Sequence, residues 1–262
     1  MHVPSAEFNR RIKSLWTKEL KNRPSLKAPM LLSDNLMSRG VVFVGLNPSF
    51  SVPQIKSYVQ MLRKEKPQSE WPEDSAVENL FKWTSSRTKK QSRQTQDIDD
   101  KAFKEHPYFQ KPRCIAKKAG KEFVHLDIFR YRETSQVTTL EDLKVIIQAD
   151  RAAKPEDVVP DKFARSQLDT FYALLEECDP LAIVVINAAA SKLLKSTLNL
   201  GDRNFRADEN EGYHQLSFSQ SRKCIPVLFS GMLSGQRALD LDSVARLSWH
   251  LRYALGERIL PR

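Results

Sequence analysis

Cysteine is scarce in this chain. Its 262 residues hold three, Cys114, Cys178 and Cys224, far apart and without a CxxC pair. That excludes a disulfide scaffold, a cysteine-rich structural zinc and a four-cysteine iron–sulfur cluster. Long apolar runs are missing as well. No stretch nears the roughly 18–20 residues that cross a bilayer. The start, Met1-His2-Val3-Pro4-Ser5, carries no apolar signal core, and no two histidines have the i, i+4 spacing of a helical zinc site. The expectation is a reduced, cytoplasmic, monomeric protein with no membrane contact, no metal and no other cofactor. Acid is also in deficit. Lys plus Arg number 42 against 32 Asp plus Glu, a formal charge of +10. Such a surface attracts polyanions, nucleic acid first.

What is present suits a folded domain. Hydrophobic residues make up 40% and aromatics 9%, which excludes a wholly disordered chain. Four short apolar runs stand out: 41–46, 123–129, 181–186 and 225–229. Each is rich in β-branched or aromatic residues and too short for a buried helix. The first and third are apolar without alternation, the pattern of strands covered on both faces. Pro226 places the fourth near a sheet edge or at a strand start. Between the runs lie helical stripes, from Phe163 to Glu177 and from Asp240 to Leu255, and Asp179-Pro180 ends the first. Strands alternating with helices imply a parallel α/β sheet. Residues 1–262 read as a single domain. The polar stretch 51–105 reads as a partly helical insertion after the first strand, with a mobile basic loop at Arg87–Arg93. Trp249 reads as a core residue of the last helix.

In a parallel α/β sheet, ligands bind beyond the carboxyl ends of the strands. Gly45-Leu46-Asn47-Pro48-Ser49-Phe50 follows the first strand. His125-Leu126-Asp127 lies at the second, Asn187 follows the third, and Ser230-Gly231-Met232-Leu233-Ser234-Gly235-Gln236-Arg237 follows the fourth. Small and polar residues converge at one rim, as in a pocket with a few placed hydrogen-bonding groups. Glycine lets backbone approach a ligand and proline fixes the turn. The Asn47 amide both donates and accepts, so it can hold a water for attack; an Asn-Pro turn capping a helix would look the same. His106-Pro107-Tyr108-Phe109 opens a further helix. Lys111 to Lys121 has five basic residues and no acid.

Val41-Val42-Phe43-Val44-Gly45-Leu46-Asn47-Pro48-Ser49 resembles the first motif of the uracil-DNA glycosylase superfamily, closest to its mismatch-specific branch. Ile183 to Leu194 resembles the third strand and Ala-rich helix of that superfamily, and Ser230 to Ser234 its final loop. Order and spacing agree over about 40–50 and 105–257. The resemblance implies a three-layer α/β/α domain with a four-stranded parallel sheet and a pocket for a base flipped out of DNA. It implies hydrolysis of the N-glycosidic bond through an oxocarbenium-like state. By position, Asn47 would hold the water. Gly45, Leu46, Pro48, Ser49, Asn187 and Ser230 would line the base, and Phe50 or Phe109 would stack on it. Gly231-Met232-Leu233 would be the wedge, followed by Ser234, with Gln236 and Arg237 meeting phosphates.

Three departures accompany the resemblance. Many members read uracil with an asparagine on the second strand, where this chain has Asp127. A carboxylate only accepts hydrogen bonds, so it prefers an amino group or N–H; protonated by burial it would donate instead. Asp127 is thus both a catalytic and a base-reading candidate, and His125 is an alternative partner for that asparagine. Phe229 stands where a histidine often opens the final motif, as it does not in the mismatch-specific branch. Branches that carry an iron–sulfur cluster use four cysteines, against three here. The expectations are therefore a DNA N-glycosylase or, on the same fold, a nucleic-acid or nucleobase reader that does not cleave. A third is a nucleotide-binding or hydrolysing enzyme on an unrelated parallel sheet.

Overall fold

The computed structural model describes residues 3–34, 36–49, 51–143, 146–147, 158–197, 203–208, 210–218, 223–233 and 238–257. The four apolar runs form strands β1 (Val41–Gly45), β2 (Phe123–Asp127), β5 (Ala182–Val185) and β8 (Ile225–Phe229), all mutually parallel. The sheet does not stop there. A hairpin of β6 (Arg203–Asp208) and β7 (Tyr213–Phe218) adds antiparallel to β8, giving six strands in the order β2-β1-β5-β8-β7-β6. The expected four-stranded parallel sheet is therefore corrected to a six-stranded mixed one. The added strands are mostly polar, and β6 buries only Phe205, so hydropathy does not mark it. Pro226 sits at the start of β8, which lies inside the sheet between β5 and β7 and not at its edge. A two-stranded antiparallel pair, β3 (Ile146–Ile147) with β4 (Val158–Val159), stands apart.

Alternation along β1 splits the core in two. Val42 and Val44 face a cluster that includes Ile12 and Trp16 of α1 (Ser5–Glu19), Phe171 of α6 (Lys162–Glu177) and Leu193 of α7 (Ala188–Thr197). Val41 and Phe43 face Ile115 of α4 (Gln110–Lys118) and Leu251 of α8 (Leu241–Ala254). Helices thus cover both faces of the parallel strands, which is why those strands are apolar without interruption. Helix starts follow local chemistry. Asp161 accepts from Ala164 N at 2.7 Å and Asp240 from Ser243 N at 2.6 Å, each satisfying a first-turn N–H. Trp249 departs from the sequence expectation. It is 50% exposed and stacks on Tyr253 at 5.6 Å, on the solvent side of α8.

The stretch 51–105 is an ordered subdomain. It comprises α2 (Val52–Glu65), a short 3-10 turn at Val77–Phe81 and α3 (Lys89–Glu105). Its own core joins Ile55, Tyr58, Val59, Leu62, Leu80, Phe81 and Ile98. Thr88 and Gln91 form a reciprocal capping box, so helix begins at Lys89, inside the stretch expected to be a mobile loop. Backbone bonds from Ala28 N to Phe81 O (2.5 Å) and from Trp83 N to Leu26 O (2.9 Å) tie the subdomain to the N-terminal arm. Another of its ties is buried: Arg132 Nη2 donates to Asp99 Oδ2 at 2.5 Å, and Arg132 Nε to Ala28 O at 2.8 Å.

Candidate functional site

At the carboxyl ends of β1, β2 and β5 lies a cavity of about 450 Å³. Its floor comes from the loops after the strands: Leu46, Asn47, Pro48 and Ser49 after β1, Asp127 at the end of β2, and Ile186 and Asn187 after β5. Its roof is the 51–105 subdomain, with Ile55, Tyr58, Phe81, Ile98 and Phe103. Tyr108, Phe109 and His106, from the turn before α4, close one side, and Met232 another. Volume and mixed lining suit one planar ring system with a few fixed hydrogen bonds.

The β1–β2 register explains the floor. Gly45 pairs with Asp127 and Phe43 with His125. A Cβ at Gly45 would lie 2.2 Å from Asp127 Oδ1, so the carboxylate occupies space that only glycine leaves free. Asp127 Oδ1 also lies 3.3 Å from His125 Nε2, and both side chains are nearly buried. His125 Nδ1 is buried without a hydrogen-bond partner. Phe109 and Tyr108 meet the imidazole edge-on at 5.0 and 5.7 Å. Burial and the Asp127 charge both push the Tyr108 phenol up, so it stays protonated. Burial pushes the His106 imidazole down, and its Nδ1 accepts from Tyr108 N at 3.0 Å.

Asn47 is held by its amide. Nδ2 donates to Glu133 O at 2.5 Å and approaches Pro48 O at 3.3 Å. That fixes the amide plane and leaves Oδ1 as its acceptor. Glu133 is itself anchored, with Oε2 3.1 Å from Lys27 Nζ and Oε1 accepting from Thr134 N at 2.7 Å. Just past β2, burial pushes the Arg130 guanidinium down while the Asp127 charge pulls the other way.

The structure gathers some of the residues singled out in the sequence and separates others. Leu46, Asn47, Pro48, Ser49, Phe109, Asp127, Asn187 and Met232 all line the cavity. Asn187 has a second task, since its Oδ1 accepts from Ala190 N at 3.0 Å and starts α7. Gly45 lies beneath the lining and shapes it through Asp127. Ser230 and Gly231 are not among the lining residues. Of Met232 and Leu233, the two side chains expected to fill the gap left by a base, Met232 lines the cavity and Leu233 is fully buried in the core with Leu247 and Leu251 of α8. Leu239 N donates to Met232 O at 2.8 Å beside it. Phe50, Ser234, Gln236 and Arg237 lie outside the described residues. Phe229 packs on Phe205 and His214, under Lys195 Nζ, and does not line the cavity.

Residues of the roof had no sequence signal as site residues. Tyr58, Phe81 and Phe103 read as ordinary apolar positions of an insertion. The basic helix α4 is in part structural: the Arg113 guanidinium lies 4.7 Å from the Phe103 ring centre and 5.3 Å from that of Phe123. Lys117, Lys118 and Lys121 are exposed. Among the described residues, no cluster of three or more His, Cys, Asp or Glu could hold a metal ion, and no helix is long and apolar enough to cross a membrane.

Fold and site together define an α/β protein with a roofed cavity at the carboxyl edge of its parallel strands. No protein-family model, curated protein or solved structure matches the chain.

Proposed function

We propose that the protein hydrolyses the N-glycosidic bond of a damaged or deaminated base in DNA, taken out of the stack into this cavity. One observation carries the reading. The Gly45-Leu46-Asn47-Pro48 turn, whose residues resemble the first glycosylase motif, and Asp127 on the neighbouring strand meet at the floor of one cavity. Aromatic side chains flank it, as a stacked base requires. In the proposed reaction the C1′–N bond breaks and its electron pair leaves with the base. A water held at Asn47 Oδ1 adds to C1′, and its proton ends on the departing base. Fixed dipoles and the nearby carboxylate favour the cationic sugar. The net charge of +10 draws the polyanion to the surface.

The test is single-turnover excision on duplexes and single strands carrying uracil, hypoxanthine, xanthine, mismatched thymine or alkylated bases. Release of one base is expected, with Asn47→Ala slowing it at least ~100-fold and barely changing DNA affinity. An unchanged rate in Asn47→Ala removes the water-holding role. The burial of Leu233 favours a second reading, recognition without excision, because that side chain is not free to fill the gap left by a base. Binding that falls steeply with salt, with no base released from any substrate, would establish that second reading.

A further inference from the structure

Among the described residues, no protein donor makes a hydrogen bond to the Asp127 carboxylate, which opens on the cavity. A buried carboxylate offers about four acceptor sites and is normally met by two or three donors. Among the described residues, the charge partner within 4 Å of this one is His125, through Nε2 at 3.3 Å. Arg130 shares the electrostatic environment but makes no ion pair within that distance. The carboxylate nevertheless lines the cavity, held there because Gly45 yields the space beside it. An ionised carboxylate only accepts hydrogen bonds, so a ligand group set beside it must donate. The unmet need at this floor is for hydrogen-bond donors.

We infer that, among damaged bases, the cavity selects one that keeps an exocyclic amino group at Asp127, such as an alkylated cytosine, adenine or guanine, over a deaminated base that presents a carbonyl there, such as uracil. The inference rests on the reading of the cavity as a base pocket and adds its selectivity. An amino group supplies the missing donor. A carbonyl oxygen places acceptor against acceptor beside a nearly buried carboxylate. Discrimination then comes as much from rejecting the wrong edge as from holding the right one. Asp127 is accordingly the specificity-determining residue.

The experiment separates recognition from chemistry. The full chain is titrated with two duplexes that differ at one nucleotide, 2′-fluoro-2′-deoxycytidine or 2′-fluoro-2′-deoxyuridine. The fluorine slows glycosidic cleavage, so binding is read alone. Each nucleotide faces an abasic spacer, so neither is paired. The expected result is affinity about tenfold or more higher for the cytidine duplex. Asp127→Asn, whose amide can donate, is expected to erase or reverse that preference. Its thermal unfolding is measured alongside to show that the variant is folded. Equal affinities for both duplexes, a preference for uridine, or binding no tighter than to an unmodified duplex would overturn the inference. So would a preference that survives in folded Asp127→Asn. A cytidine preference without excision of any natural base would sink the glycosylase reading and leave the selectivity standing. Excision of uracil with equal binding of the two duplexes would do the reverse.

Discussion

Replacing Gly45 by alanine puts a methyl group 2.2 Å from Asp127 Oδ1 and 3.3 Å from His125 Cε1. A carbon–oxygen contact relaxes only beyond about 3.4 Å, so roughly 1 Å of movement must come from somewhere. β1 is buried along its whole length, and Val41–Val44 are paired on both sides, so the body of the strand cannot supply it. The carboxylate must swing away from His125, or the end of the β1–β2 ladder must part. Overpacking of this kind costs about 1–3 kcal/mol. The assay is a double-mutant cycle in urea, with Gly45→Ala, Asp127→Ala and the pair. If the clash is with the carboxylate, the second substitution removes it. The pair should then cost less than the sum of the singles, with a coupling of about 0.5–3 kcal/mol. Strictly additive costs would refute the reasoning, because they would mean that the two side chains do not compete for one space.

Three further outcomes are expected. Arg132→Met leaves Asp99 buried without its guanidinium and should cost about 3–5 kcal/mol in denaturant, while Arg132→Met with Asp99→Leu should recover much of it; a single variant as stable as the parent would deny the clasp. Leu233→Ala should cost about 2–5 kcal/mol and leave the salt dependence of DNA binding unchanged; lost affinity without lost stability would return this residue to a wedge role. Burial pushes the Cys178 thiol up to about 12, so at mildly alkaline pH it stays protonated; a thiol reagent should label the exposed Cys114 and Cys224 at once and Cys178 only on unfolding.

The parallel strands were legible because strands covered on both faces need unbroken runs such as Val41–Val44 and Ile183–Val185. The hairpin was not, because β6 at the sheet's edge buries a single side chain and the rest of Arg203–Asp208 is polar or small. α3 was hidden for a different reason. It buries Gln94, Thr95 and Asp99 together with Ile98. Those polar residues are satisfied by Glu70 O, Arg87 and Arg132, none of which hydropathy can pair with them. The floor of the cavity was readable because its residues directly follow strands. The roof was not, since Tyr58 and Phe103 reach the cavity only through the packing of a subdomain whose placement depends on Asp99 and Arg132.

That subdomain owns a hydrophobic cluster separate from the two that flank the sheet. A unit with its own core can lift without melting. Its α2 and α3 amides should therefore keep their protection from hydrogen exchange while the cavity is open. The Ala28 and Trp83 amides, which bridge the arm and the subdomain, should exchange at the rate of lifting instead. Lifting then requires those two bonds and the Arg132–Asp99 pair to break together, without unfolding of the subdomain.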